Sequence, residues 1–238
     1  SPTILGITLK LDRPMKFQAG QYINLQVPSV EGTRAFSIAN PPSMADTVEL
    51  HVRKVEGGAA TTWLHESLKE GDELPLSGPY GQFFVRKSDG QDVIFIAGGS
   101  GLSSPESMIL DLLEEGDSRQ IYLFQGARNV AELYHRELFE KLAEEHENFH
   151  YIPALNAASP EENWEGFNGF VHEAVADYFS NRCSDHKAYL CGPPPMIEAA
   201  ITTLMQSRLF ERDIHMERFL TAADGSETQT RSALFKKI

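Results

Sequence analysis

Short stretches in which apolar and polar residues alternate fill the first third of this 238-residue chain. In Tyr22–Val27, every second residue is apolar, and turn-forming pairs such as Ala19-Gly20 and Gly78-Pro79 separate one stretch from the next. Short strands at this spacing are typical of antiparallel barrels, so we predict an antiparallel β-barrel domain over residues 1–88. Its predicted strands are Ile4–Leu11, Tyr22–Val27, Arg34–Ala39, Val48–Val55 and Glu73–Ser77, with a helix at Thr61–Leu68.

The pattern changes after Gln91. Val93–Ala97 is a continuous apolar run that ends in glycines, as buried parallel strands do, and Pro105 suits the first turn of a following helix. Further alternation of strands and helices predicts an α/β, Rossmann-like parallel sheet over residues 89–238, which binds ligands at the carboxyl ends of its strands. The predicted strands are Val93–Ala97, Ile121–Gln125, His150–Ala154, Lys187–Cys191 and Ile214–Arg218; the predicted helices are Pro105–Glu114, Ala131–Glu145, His172–Phe179 and Pro194–Ser207.

Charge and cysteine content exclude several classes of partner. Acidic residues outnumber basic ones by 34 to 21, which argues against nucleic acid, because phosphate binding needs clustered Lys and Arg. No apolar run approaches the roughly 20 residues that span a bilayer, so we predict a cytoplasmic protein without a membrane partner. Two cysteines, Cys183 and Cys191, are too few to ligate an iron–sulfur cluster, and the histidines have no metal-binding spacing. We therefore predict no bound metal.

Two strand segments carry candidate binding residues. Arg34-Ala35-Phe36-Ser37 combines a guanidinium that can grip a phosphate with an aromatic ring that can stack on a planar heterocycle. His51-Val52-Arg53 supplies a second cation. The alternative in both cases is an ordinary strand with a solvated Arg.

Three glycine-containing segments are candidates for phosphate or nucleotide binding. Gly57–Thr62 precedes a helix and can present backbone N–H groups to an anion, although a plain helix cap needs the same Thr. Ala97–Leu102 joins a strand to a helix through glycines, which suits a dinucleotide, although a tight turn is the alternative. Cys191–Met196 ends another strand, where Cys191 is either a site residue or a small apolar packing residue.

Together these segments resemble the ferredoxin–NADP reductase superfamily, and most closely the reductase components of multicomponent phenol hydroxylases. The matching motifs occur in the family's order: Arg34–Ser37, Gly58–Thr61, Gly78–Phe83, Gly98–Gly101 and Cys191–Pro194. The resemblance implies an N-terminal FAD domain and a C-terminal NAD(P)H domain. It also implies an enzyme that passes hydride from NADH to FAD, and then single electrons to a 2Fe–2S centre that supplies an aromatic monooxygenase.

The resemblance also implies roles for individual residues on the flavin side. Arg34 would hold the FAD pyrophosphate, Phe36 would flank the flavin ring after Ala35, and Ser37 would bond near flavin N5. The remaining flavin-binding residues implied are His51, Val52, Arg53, Gly58, Ala60 and Thr61. Ser37, Cys191 and Glu217 are the implied catalytic residues, and Phe219 would approach the flavin beside Glu217.

On the nucleotide side, the implied binding residues are Gly99, Gly101, Leu102, Ser103, Gly126, Arg128, Cys191, Gly192 and Pro193. The choice of nucleotide depends on the loop Gln125–Arg128. NADPH usually requires cations around its 2′-phosphate, and Arg128 is the one cation in this loop, with Glu132 and Glu137 following. We therefore expect NADH rather than NADPH.

The chain departs from the family in two ways. Nothing in this chain can ligate the 2Fe–2S cluster, and Pro2–Leu5 matches the family's second barrel strand rather than its first. We expect a fragment of a longer reductase, whose partners are the ferredoxin domain of that parent or a separate iron–sulfur protein, and a diiron hydroxylase. The alternatives are an NAD(P)H:flavin reductase that releases its flavin and a nucleotide-sensing module without turnover.

Overall fold

The alternating pattern of the first half and the apolar runs of the second half form the strands of two different kinds of sheet. The computed structural model of the protein describes residues 1–218. The first half contains β1 (Ile4–Lys10), β2 (Tyr22–Gln26), β3 (Thr33–Ser37), β4 (Thr47–Arg53), α1 (Ala59–Glu66) and β5 (Leu76–Tyr80). The second contains β6 (Asp92–Gly98), α2 (Ser103–Glu114), β7 (Ile121–Ala127), α3 (Arg136–Glu145), β8 (Phe149–Leu155), β9 (Phe167–Asn168), α4 (Val171–Tyr178), β10 (His186–Gly192), α5 (Pro194–Gln206) and β11 (Ile214–Arg218).

The strands of the first half pair antiparallel, in one sheet of β1 and β4 and another of order β3-β2-β5. Both sheets bury alternate residues in one core, Ile23 and Leu25 from β2 and Leu50 from β4 among them. The antiparallel architecture predicted from the sequence is therefore confirmed. The fifth strand lies later than its predicted position Glu73–Ser77, because β2 pairs with the segment from Leu76 to Tyr80.

The second half forms a six-stranded parallel sheet of order β11-β10-β6-β7-β8-β9, as the α/β pattern predicts. Along β6, Val93 and Phe95 pack under α2, whereas Ile94 and Ile96 face α4 and α5. Helices thus cover both faces of the sheet, which explains why its central strand β6 is apolar from Val93 to Ala97.

Two details of this half differ from the prediction. β9 has only two residues, too few to produce a periodic pattern. The helix predicted to begin at Ala131 begins at Arg136, because Asn129 caps a separate 3-10 turn and His135 adopts a left-handed conformation with φ of 57°. In residues 1–218 no helix is both long and apolar enough to cross a membrane.

The strand order creates a crevice beside β6. The chain proceeds from β6 to β7 on one side, and later returns to place β10 on the other side. Loops leaving the carboxyl ends of β6 and β10 therefore diverge, which is where ligands bind in open α/β sheets. The glycine segment after β6 and the Gly192-Pro193 segment after β10 both lie at this crevice.

Buried polar contacts join the two halves. Asn40, after β3, donates through its side chain to the carbonyls of Met44 and Thr47, and its backbone carbonyl accepts from Ser107 Oγ of α2 at 2.7 Å. The hydroxyl of Tyr189 on β10 accepts from the backbone N–H of Arg86 at 3.0 Å. These bonds hold the first half against the parallel sheet.

Replacement of Ser107 by Ala tests this junction. Both Ser107 and Asn40 are buried, so Ser107→Ala leaves the Asn40 carbonyl without its donor and should lower the free energy of unfolding by about 1–3 kcal/mol. Urea unfolding measures the change, with Ser43→Ala, at an exposed position in the neighbouring loop, as the control. Equal stabilities of the two variants would contradict a structural role for this bond.

Candidate functional site

A cavity of about 1130 Å³ lies between the two halves. The first half contributes the residues of β3 from Arg34 to Ser37, together with His51, Arg53 and the 57–61 segment. The second half contributes Gly98, Ser100, Ser103, Gly192, Pro193 and Glu217. The structure thus brings together segments from both halves of the chain that were predicted separately as candidate binding segments.

One end of the cavity is suited to an anion. Arg34 is exposed, and its Nη1 donates only to the backbone carbonyls of Glu31 and Thr33, at 3.1 and 3.0 Å. Within residues 1–218 neither Arg34 nor Arg53 forms an ion pair. Helix α1 begins after Gly58 with no side-chain cap and no acidic residue in its first turn, so its free N–H groups face the same space. Two guanidiniums and a helix N-terminus favour a phosphate group here.

Aromatic rings line the same cavity. Phe36 is half-buried beside Arg34 on β3, and Tyr22 on the neighbouring β2 packs against Tyr80 with ring centroids 5.8 Å apart. The sequence analysis missed Tyr22, because it occupies an ordinary alternate position of a strand. These rings offer apolar surface to a planar group.

A partly buried carboxylate, that of Glu217, lines the wall of the cavity. Glu217 Oε2 accepts hydrogen bonds from Ser37 Oγ at 3.3 Å and from Ser104 Oγ at 3.1 Å, and Cys191 Sγ lies 3.9 Å away. Burial raises the pKa of Glu217 above its ordinary value of 4.5, while the hydrogen bonds from Ser104 and Ser37 act in the opposite direction. Ser37 and Glu217, predicted as catalytic residues, thus touch one another. Ser104 was missed, because only the fold brings α2 to β11.

Cys191 requires a correction. Its side chain is fully buried in the core beneath α2 and does not line the cavity. Burial, with the nearby Glu217 carboxylate, raises the pKa of this thiol well above its usual range, so it stays protonated. The position of Cys191 fits a packing residue and a weak donor to Glu217 rather than a catalytic residue.

Several other predicted site residues do not line the cavity, and some of them pack in the core instead. The side chains of Val52 and Leu102 are fully buried and do not line the cavity. A Cβ at Gly101 would lie 2.4 Å from the Cys191 carbonyl oxygen, so only glycine allows this approach of the loop to β10. Arg128 is exposed after β7, and Gly126 lies under Val171.

The glycine loop after β6 also contacts the first half. Gly99 has φ of 57°, and a Cβ there would lie 3.2 Å from Arg53 Nη1. Its carbonyl accepts from the Tyr134 hydroxyl at 3.0 Å. The predicted residues Ala35, Ala60, Thr61 and Ser103 line the cavity, whereas Phe219 lies outside the described residues.

Comparison with known proteins finds two domain families in the chain. Residues 2–85 match the oxidoreductase FAD-binding domain family, and residues 95–202 match the oxidoreductase NAD-binding domain family. Over all 238 residues the chain is 75% identical to the phenol hydroxylase P5 protein of Acinetobacter pittii and 69% identical to the phenol 2-monooxygenase reductase component DmpP of a Pseudomonas species. It spans 67% of the length of each.

The chain belongs to the phenol hydroxylase reductase family. It is an oxidoreductase with FAD-binding and NAD-binding domains, as its motifs indicated. The crystal structure of the Amycolatopsis reductase GcoB, 34% identical, matches 92% of the chain and 66% of its own with a TM-score of 0.84. The ferredoxin reductase of carbazole 1,9a-dioxygenase, 27% identical, matches 92% of the chain and 65% of its own with a TM-score of 0.82.

The cavity of this reductase fits a flavin dinucleotide. The guanidiniums of Arg34 and Arg53, which form no ion pair within residues 1–218, and the N-terminus of α1 suit a pyrophosphate. Phe36 and Tyr22 suit a planar ring system. The crevice loops at Gly98–Ser100 and Gly192–Pro193 open into the same volume, where a second nucleotide can approach.

The buried carboxylate should make stability depend on pH in a specific way. Because the folded state raises the pKa of Glu217, the contribution of this side chain to stability should decline as pH rises from about 4.5 through its folded pKa. Glu217→Gln cannot ionise. The difference in unfolding free energy between wild type and variant should therefore be constant below about pH 4.5. It should shift in favour of the variant between that pH and the folded pKa of Glu217. Urea unfolding across a pH series measures this, and a difference that does not change with pH would disprove the effect of burial.

Proposed function

We propose that this reductase transfers hydride from NADH to FAD and then delivers single electrons to a 2Fe–2S centre that serves an aromatic-ring monooxygenase. The observation that carries the proposal is the shared cavity, into which both the β3 residues and the nucleotide-side loops open. Hydride transfer needs the two ring systems in contact, so catalysis here is chiefly a matter of positioning. The proposed boundary between the FAD and NAD(P)H domains is residue 88/89.

The first half of the chain supplies most of the residues that would bind the flavin. Arg34, Arg53 and the first turn of α1 would neutralise the pyrophosphate, because none of them has an acidic partner in the described structure. Phe36 and Tyr22 would hold the ring by apolar contact. Bound FAD supplies a hydride acceptor that can release its electrons one at a time.

Ser37 and Glu217 are the residues proposed to act at the reacting part of the flavin ring. The Ser37 hydroxyl reaches the Glu217 carboxylate at 3.3 Å, so a proton can pass between the cavity and the buried carboxylate. Because burial raises the pKa of Glu217, this side chain holds a proton more readily than an exposed Glu. We assign to this pair the hydrogen bond to flavin N5 and the proton exchange there.

NADH is the proposed donor. Arg128 is the cation at the carboxyl end of β7, and Glu132 follows it in the next turn. A single exposed guanidinium gives little stabilisation to a 2′-phosphate, and an Arg can equally bind the pyrophosphate shared by both nucleotides.

Membership of this family implies an oxygenase partner and electron-transfer components. We propose that the recipient is a 2Fe–2S ferredoxin domain, on a longer parent chain or a separate protein, which passes electrons to a diiron hydroxylase acting on a phenol-type ring in the cytoplasm. The names of the Acinetobacter and Pseudomonas relatives support this choice.

Anaerobic addition of NADH tests the reaction. The flavin-loaded protein should lose the visible absorption of oxidised FAD, and NADPH should act more slowly at equal concentration. Gel filtration beforehand distinguishes the alternatives, since a retained flavin fits an electron-transfer reductase and a released flavin fits an NAD(P)H:flavin reductase. Failure of NADH to bleach a retained flavin would refute the proposed function.

Replacement of Arg34 tests the flavin site. Arg34→Ala removes a charge-assisted contact to the pyrophosphate and should weaken FAD binding about ten- to a hundredfold. Fluorescence titration of the apoprotein with FAD measures this affinity. Arg13→Ala, which removes an exposed cation elsewhere in the same half, is the matched control. Equal affinities for the two variants would remove Arg34 from the site.

A further inference from the structure

A second cluster of polar side chains lies between the halves, beside the flavin cavity. Glu49 and His51 project from the same face of β4, because they alternate with the core residues Leu50 and Val52. Glu106 of α2 and His135, just before α3, approach them from the second half. Two imidazoles and two carboxylates thus meet where the halves join.

His51 lacks a partner that its burial requires. Its side chain is 2% exposed, and within residues 1–218 both ring nitrogens are buried without a hydrogen bond. The nearest carboxylate oxygens are Glu49 Oε1, 3.7 Å from Nε2, and Glu106 Oε2, 4.0 Å from Nδ1. Both distances exceed a hydrogen bond. A buried polar group left unpaired costs about 1–3 kcal/mol, so this ring calls for a further ligand.

The flavin cannot be that partner. His51 touches the cavity, but neither of its nitrogens is exposed there. The ring is held edge-on between Tyr134 and His135, with centroid distances of 5.2 and 4.9 Å. Its nitrogens therefore point to the carboxylates of the cluster.

His135 is held by a carboxylate, as metal-bound histidines often are. Both carboxylate oxygens of Glu106 lie 2.9 Å from His135 Nδ1, and the Glu106 side chain is only 4% exposed. Metal-bound histidines characteristically have one ring nitrogen fixed by a carboxylate in this way, which leaves the other to the ion. The buried Glu106 carboxylate and that of Glu49 also balance the charge of a divalent cation.

The distances are compatible with a small ion. One possible ligand atom from each of Glu49, His51 and His135 lies within 4.8 Å of the other two. Bonds of about 2.0–2.2 Å in a tetrahedral site put ligand atoms roughly 3.4 Å apart. Separations of up to 4.8 Å must therefore shrink by up to about 1.4 Å, and the Glu49 side chain, 34% exposed, has room to move inward.

We propose that Glu49, His51 and His135 bind a divalent transition-metal ion of the Zn²⁺ class, with Glu106 orienting His135 from behind. Imidazole nitrogens with one carboxylate are a ligand set that Zn²⁺ accepts, and water completes the fourth position. The ion joins β4 of the FAD half to the NAD half. The prediction of no bound metal rested on local residue spacings, whereas these ligands come from distant segments of the chain.

Titration of the metal-free, tag-free, flavin-loaded protein with Zn²⁺ tests the proposal. Calorimetry should find one Zn²⁺ per wild-type chain, with that binding abolished in His135→Asn and weakened about ten- to a hundredfold in Glu106→Gln. His172→Asn, which removes a half-buried histidine on α4, is the control and should bind as wild type does. Absence of stoichiometric binding by wild type, or equal binding by His135→Asn, would overturn the proposal.

Thermal unfolding separates loss of a ligand from loss of the fold. Zn²⁺ should raise the melting temperature of wild type by roughly several degrees and leave that of His135→Asn unchanged. If His135→Asn does not fold, Glu49→Gln supplies the comparison, because its side chain is partly exposed. Its control is Glu137→Gln, an exposed position in the first turn of α3. Equal responses of these two variants to Zn²⁺ would reject the site.

Discussion

The carboxylate of Glu217 accepts hydrogen bonds from Ser37 in the first half and from Ser104 in the second, and the candidate site depends on this shared acceptor. A buried carboxylate is costly unless donors surround it, so β3, α2 and β11 must keep their mutual positions. The bond from Ser107 to the Asn40 carbonyl adds a second restraint nearby. The cavity is therefore held open by polar contacts that neither half could make alone.

Much of the fold could be predicted because each sheet has its own periodicity. The run Val93–Ala97 is apolar throughout, since β6 is covered on both faces, and it was predicted to within one residue at each end. The prediction failed where contacts between distant segments determine the position of a strand. The fifth strand was displaced because pairing with β2, rather than local composition, selects Leu76–Tyr80, and β9 exists only as an addition to the edge of β8.

The candidate site was predictable where a motif carries its own chemistry. Arg34, Phe36 and the glycine segments could be chosen from residue type and context, and all of them lie at the cavity or its loops. The burial of individual side chains could not be predicted from the motifs. Cys191 lies at the carboxyl end of β10, but its side chain points into the core. Ser104 contacts Glu217 only because the fold brings α2 to β11.

The approach of Arg53 to Gly99 has a thermodynamic consequence. A guanidinium from the flavin side borders the loop on which the second nucleotide would rest, so the two occupants share one boundary. If bound flavin changes the affinity for the second nucleotide by some factor, that nucleotide must change the affinity for flavin by the same factor, since coupling between binding sites is reciprocal. In this protein the Arg53 guanidinium thus lies on the boundary between the two proposed binding regions.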